Sequence, residues 1–442
     1  MTVSARTVYA NPTINSLAAT MIGEENGEHV NGTSAVTCEE RMTRMVEKYT
    51  SDLPSSSALT TPSPSPEKHT MVLTGSTGSL GNYILQELIE SPKVAKIYCL
   101  NRSSAAEDRQ RESFQRRGIA ADFSKVSFLH TDFGKDQFGL HDRVYDELLQ
   151  SVDVFIHNAW AVDFNLALES YEGVHISGTR RCVDFSTESK HRAHIIFISS
   201  IASVGNWTGV HPTEHAVPER LDTNHTVTLP QGYGESKHVA SLILAAGAQR
   251  SGVPCTIARA GQLAGPSNGD SEWNRHEWLP SIIISSKAMG AVPQDLGNQD
   301  LVDWVPMDLA GKTVRDLALS QRSSSATSED LTRVAHIVNP STTTWPRLVL
   351  AVREALQKQS DKPINTVSFS AWLDELKKTE PSPAELEQKP ALKLADFYEG
   401  LLGHQGMPRL ATEQTSKISQ TVAQMQPVSD EMMRKWTQQW WA

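Results

Sequence analysis

The sequence predicts an α/β fold: a doubly wound parallel sheet followed by a smaller, mostly helical C-terminal lobe. Between residues 69 and 265, short apolar runs alternate with helix-length amphipathic segments. Runs of that kind belong to a parallel sheet with helices on both faces. A glycine-rich turn joins the first apolar run to the first amphipathic segment. Beyond residue 266 the alternation fades, and tryptophans, prolines and helical spacing take over. With 442 residues, 39% of them hydrophobic, the chain can build more than one core.

Taken in order, Thr7–Ile22 places Ile14, Leu17, Ala18 and Met21 on one helical stripe, with Pro12 as its first helical residue. A helix this short cannot bury its stripe alone. Residues 23–68 read as a linker holding one short helix, with Met42, Met45, Val46 and Tyr49 on one face. The Ser/Thr/Pro run Ser51–Pro66 has no core-forming capacity. Strand candidates follow at 71–74, 96–100, 126–129, 152–156, 195–198 and 256–258, with helices expected over 80–89, 168–186 and 235–249. Residues 266–442 form the helical lobe, where the apolar run 334–338 is a candidate for one strand returned to the sheet. The last helix, 430–441, has Ser429 as its N-cap and acidic residues in its first turn.

Composition removes several classes. The 41 basic and 51 acidic residues leave a formal charge of −10, which argues against a nucleic-acid or anionic-membrane binder. The four cysteines form no CxxC pair, and the 15 histidines show no HExxH spacing, so no metal site is expected. There is no apolar run of membrane-spanning length and no signal peptide pattern, so a cytoplasmic, monomeric protein is expected.

The chemistry starts at Thr74-Gly75-Ser76-Thr77-Gly78-Ser79-Leu80-Gly81. Glycines at this spacing, between a strand and a helix, allow a tight turn and close approach of backbone N–H groups to a pyrophosphate. They also let the helix lie close on the sheet, its N-terminus facing the phosphates. This marks the fold as Rossmann-type. At the end of the second strand, an NAD site usually places an acidic residue for the ribose; here stand Asn101 and Arg102. A guanidinium pairs with a 2′-phosphate, so NADPH is the expected cofactor. Arg111 is a second candidate for that phosphate, or a solvated helix residue. Tyr233 and Lys237 stand four apart on one helical face, and Ser200 ends the strand 195–198. A neighbouring ammonium lowers a phenol's pKa and makes it a usable proton donor.

Together these segments resemble the extended short-chain dehydrogenase/reductase superfamily. The closer resemblance is to the C-terminal thioester reductase domain of fungal nonribosomal-peptide-synthetase-like enzymes of adenylation–carrier–reductase type, relatives of carboxylic acid reductases. It rests also on IYCLNR (97–102), HNAWAVDFN (157–165), ARAGQLAGP (258–266), WNRHEWLP (273–280) and VDWVP (302–306). The segment VYANPTINSLA resembles the last helix of a phosphopantetheine carrier domain, which makes residues 1–22 a carrier remnant and the chain an excised or truncated piece.

The resemblance implies that Gly75, Thr77, Gly78, Leu80 and Gly81 cradle the pyrophosphate and Arg102 the 2′-phosphate. It implies Asp132 and Phe133 beside the adenine, Asn158 and Ala159 at the fourth strand's end near the cofactor, Lys237 on the nicotinamide ribose, and Gly261 and Gln262 near the nicotinamide. Ser200, Tyr233 and Lys237 would be catalytic, with Ser200 where the group often has Thr. The implied reaction is NADPH-dependent release of a carrier-bound acyl thioester as an aldehyde, which a second hydride would take to an alcohol. The implied partners are the acyl-loaded carrier domain and its acyl group. Trp160, Phe164 and Trp273 are candidate acyl contacts, with packing as the competing reading; Trp278 shares a lid reading with Trp273. Two further functions stay open: a stand-alone reductase or epimerase of a small metabolite, and a catalytically silent NADP-binding domain.

Overall fold

A computed structural model describes residues 36–55, 67–268, 273–320, 331–403 and 406–441. The helix expected over 7–22, and most of the Ser/Thr/Pro run, lie outside the described residues.

Seven strands form the central sheet: β1 (His69–Thr74), β2 (Val94–Asn101), β3 (Val126–His130), β4 (Val154–His157), β5 (His194–Ser200), β6 (Cys255–Ala260) and β7 (Thr332–Ile337). All pair in parallel, in the order β7-β6-β5-β4-β1-β2-β3. Strand order therefore reverses between β1 and β4, and the crevice at such a switch point is where doubly wound sheets take their ligands. Within the apolar run at 334–338, Val334–Ile337 pair with β6.

Alternation within each strand feeds two cores. Val72, Tyr98, Phe155 and Phe197 face α1 (Cys38–Thr50), α5 (Ser177–Glu188) and α6 (Gly232–Ser251). Met71, Leu73, Ile97 and Ile196 face α2 (Ser79–Glu90) and α8 (Met307–Leu319). The remaining helices on the sheet are α3 (Ala106–Arg116) and α4 (Asp142–Ser151). A side chain at Gly311 would put its Cβ 2.8 Å from that of Tyr83, so α8 lies directly on α2.

The third core is the helical lobe, built from α7 (Trp278–Met289), α9 (Trp345–Gln357), α10 (Phe369–Lys377), α11 (Ala395–Leu401) and α12 (Asp430–Gln438) around Trp273, Trp304, Trp345, Trp372 and Trp436. Ser429 caps α12 by accepting from the Met432 N–H. The segment 168–186 departs from the single expected helix. A 3₁₀ turn (Leu168–Tyr171) and a π turn (Glu172–Ile176) precede α5. The π turn aims His175 at the backbone N–H of Ala161, consistent with the tendency of such turns to occur at functional sites. Among the described residues, no helix is long and apolar enough to cross a membrane, and no cluster of His, Cys, Asp and Glu is placed to hold a metal ion.

Candidate active site

The glycine loop owes its shape to absent side chains. Gly75 has φ +67, a left-handed conformation, and a Cβ there would come within 3.0 Å of the Ala159 backbone. A Cβ on Gly81 would lie 2.0 Å from the Gly75 carbonyl oxygen, so only glycine lets the first turn of α2 close on the loop. Gly78 is the N-cap of α2 and offers no side chain to its first N–H groups. Gly78 and Ser79 are exposed and the first turn holds no acidic residue, which suits an anion at this helix start. The loop is tied to the neighbouring strand end. Thr74 Oγ1 accepts from the backbone N–H groups of Asn158 (3.0 Å) and Ala159 (2.8 Å), and Asn158 Nδ2 donates to the Gly75 carbonyl at 3.3 Å. The residues present fit a dinucleotide's pyrophosphate, judged by the cradle that a Cβ would fill.

At the end of β2, the Asn101 side chain turns inward and exchanges hydrogen bonds with Ser76 Oγ at 3.1 and 3.3 Å. Arg102 is exposed, and its guanidinium has no partner among the described residues. Arg111, by contrast, is clamped to Glu107 at 2.7 Å and stacked on Phe123, so it is a helix-surface residue. Asp132 Oδ1 accepts from the Gly134 N–H at 2.9 Å. The Phe133 ring is buried against Phe138 and stacked on His157, at 4.6 and 5.5 Å between centroids. Gly178, with no Cβ, leaves it that room. The Phe133 side chain therefore belongs to the core.

On the other side of the switch point, β5 ends in Ser200, which caps the following turn by accepting from the Ala202 N–H at 3.2 Å. Helix α6 comes down on that turn because Gly234 has no side chain; a Cβ there would sit 2.6 Å from the Ala202 carbonyl oxygen. This contact brings Tyr233 beside Ser200. Burial raises the Tyr233 phenol above its usual value, and a hydrogen bond with the Ser200 hydroxyl pulls the other way.

Lys237, 2% exposed, donates from Nζ to the Ile198 carbonyl at 2.6 Å. Its Nζ lies 4.1 Å from the centre of the Trp160 ring and 6.0 Å from that of Tyr233. Burial drives its pKa well below 10.5. The expected lowering of the phenol by the ammonium is thus not present in the polypeptide: desolvation dominates both groups, raising one and lowering the other.

The structure buries Trp273 and leaves Trp160 half-buried beside Lys237. Trp160 donates to Ser236 Oγ at 3.2 Å and packs against Lys237, Phe197 and His175, so it is the floor under the lysine. Trp273, 1% exposed, donates to Glu277 at 2.8 Å and sits between Trp304 and Trp436 in the helical core. Phe164 is the candidate that stays at the surface, 49% exposed, with its edge to the Tyr233 ring at 5.3 Å. Gly261 and Gln262 follow β6; Gln262 Oε1 accepts from Trp278 Nε1 at 2.7 Å.

Sequence reasoning passed over His157 and His175. His157 lies between the Phe133 and Phe197 rings with Nδ1 3.3 Å from Thr74 Oγ1, and burial pushes it down to about 3. His175 is pushed down to about 4 by burial and the nearby Lys237 and Arg102 charges. Nothing in a linear reading links those two rings to the lysine.

The parallel sheet with its glycine loop at the switch point defines a Rossmann-type, dinucleotide-binding fold. The chain belongs to the NAD-binding family described as male sterility protein, whose model matches residues 73–314. It is 37% identical to a carboxylic acid reductase of Neurospora crassa, over 99% of this chain and 41% of that protein. It is 31% identical to the adenylate-forming reductase Nps10 of Heterobasidion annosum, over 99% of this chain and 40% of that protein. The chain thus spans less than half the length of these curated relatives. Among solved structures, it resembles the terminal R domain of the myxalamid PKS-NRPS pathway, with TM-score 0.72 and 20% identity over 90% of this chain and 96% of that one. It also resembles a thiolation–reductase di-domain of an archaeal non-ribosomal peptide synthetase, with TM-score 0.65 and 20% identity over 98% and 86%. At those identities the likeness is one of fold.

Proposed function

We propose that this chain is an NADPH-dependent reductase that releases an acyl group, held as a phosphopantetheinyl thioester on a carrier domain, as an aldehyde. The observation that carries the reading is the meeting of Ser200, Tyr233 and Lys237 at the strand ends that also bear the glycine loop. Arg102, exposed and unpartnered where an NAD site would have a carboxylate, favours NADPH over NADH. The curated relatives and the thiolation–reductase di-domain favour a carrier-bound substrate.

Bound NADPH supplies the hydride to the thioester carbonyl carbon. The hydroxyls of Ser200 and Tyr233 donate hydrogen bonds to the carbonyl oxygen as negative charge gathers there. An alkoxide is a stronger base than even a buried phenolate, so Tyr233 gives up its proton although burial has raised its pKa. Lys237 then stabilises the phenolate left behind, which favours a shift of its ammonium from the Ile198 carbonyl toward the phenol. The hemithioacetal loses its C–S bond, giving the aldehyde and a free pantetheine thiol. The test is the full chain with NADPH and an acyl-pantetheine thioester, following reduced-nicotinamide absorbance and free thiol together. One thiol released per NADPH oxidised is expected. Oxidation or reduction of a sugar nucleotide, with thioesters inert, would instead favour an epimerase-like or stand-alone enzyme.

A further inference from the structure

An arc of aromatic side chains borders the site from two distant parts of the chain. It starts at Tyr233, whose ring meets the edge of Phe164 at 5.3 Å and 87°. Phe164 faces Phe397 of α11 at 6.5 Å, with the two rings only 11° from parallel. Phe397 touches Trp278 at 6.1 Å, and Trp278 bonds Gln262 at the end of β6. Both ends of the arc therefore lie on the ligand edge of the sheet.

The middle of the arc is exposed without a packing reason. Phe164 and Phe397 are 49% and 37% exposed. Their anchors are other residues. Tyr398, fully buried, fixes α11 by donating to the Trp278 carbonyl at 2.7 Å. The Phe164 loop is pinned where Tyr171 donates to the Asp163 carbonyl at 2.5 Å and where Gly232 lets the Leu166–Leu168 backbone lie against α6. Rigid, paired aromatic faces left open beside a buried phenol are the mark of a surface that a ligand covers. No charged side chain belongs to the arc, so a carboxylate gains little there.

We propose that Phe397, together with Phe164, forms the specificity wall for the acyl group, and that the wall selects planar, apolar acyl groups; this rests on the thioester-reductase reading above. An aryl group gains ring-on-ring contact with these faces, whereas a saturated ring of equal size meets them only with its hydrogens. The pair to compare is benzoyl-pantetheine with cyclohexanecarbonyl-pantetheine, which differ in flatness far more than in size. The wild-type chain is expected to prefer benzoyl by about tenfold in kcat/KM, mainly through KM. Phe397→Leu, which keeps apolar bulk, brings the ratio close to one, and Phe397→Trp restores the preference. A ratio that is near one in wild type, or unchanged by Phe397→Leu, overturns the wall. The same comparison is made by calorimetric binding of the two inert amide analogues, in which nitrogen replaces the thioester sulfur. That arm needs no turnover. If no thioester oxidises NADPH, the reductase reading fails, while the amide preference and its loss in Phe397→Leu still decide the wall by themselves.

Discussion

The glycine loop, proposed to cradle phosphate, and the Ser200–Tyr233–Lys237 cluster, proposed to move a proton, stand on the same sheet edge but are made in different ways. The cradle is finished by backbone alone: a left-handed Gly75, an uncapped helix start at Gly78, and a Gly81 with no room for a methyl group. The cluster has its side chains in place but not its electrostatics, since burial holds Tyr233 high and Lys237 low, with the ammonium spent on a backbone carbonyl. Fixed N–H dipoles work as soon as the chain folds. A proton donor and its lysine depend on the charges around them, so they are tuned only when substrate and cofactor complete the site.

The sharpest way to break this contrast is Gly81→Ala. Its Cβ would be forced against the Gly75 carbonyl, so nucleotide binding measured by fluorescence titration should be lost entirely, with a stability cost of about 1–3 kcal/mol in thermal unfolding. Next in size, Tyr233→Phe should lower kcat by roughly 10²–10³ while nucleotide affinity stays as in wild type. A fall in both would mean that the two regions are not separable. Arg102→Ala should weaken NADPH by about 10–100-fold and leave NADH unchanged; equal losses for both would remove the 2′-phosphate assignment.

A separate effect concerns acid. His157, His238 and His336 are pushed down to about 3, in each case chiefly by burial. The unfolded chain takes up these protons as pH falls through about 6.5, while the folded chain resists until about 3. Stability from this source is therefore full above 6.5 and lost as pH drops below it, by on the order of 2 kcal/mol per histidine at pH 5. Melting temperature should fall between pH 7.5 and 5, and less steeply in His238→Gln, since His238 Nε2 has no hydrogen-bond partner. An unchanged slope in that variant would mean that His238 is not one of the responsible groups.

What the sequence by itself determined is what contiguous residues dictate. The seven strands were legible because each is a short apolar run bounded by turn residues. The glycine loop was legible because its requirement is steric and local. Tyr233 and Lys237 were legible because helix geometry alone puts them on one face. Tertiary structure decided the rest, where the partner lies far along the chain. It turned Phe133 and Trp273 into core residues and gave Trp160 to the lysine. It also set Phe397 opposite Phe164, a contact between the loop after β4 and the helical lobe. Periodicity records that a residue is apolar, but which surface it meets, and how far water is excluded there, depends on packing between elements that the linear pattern does not order.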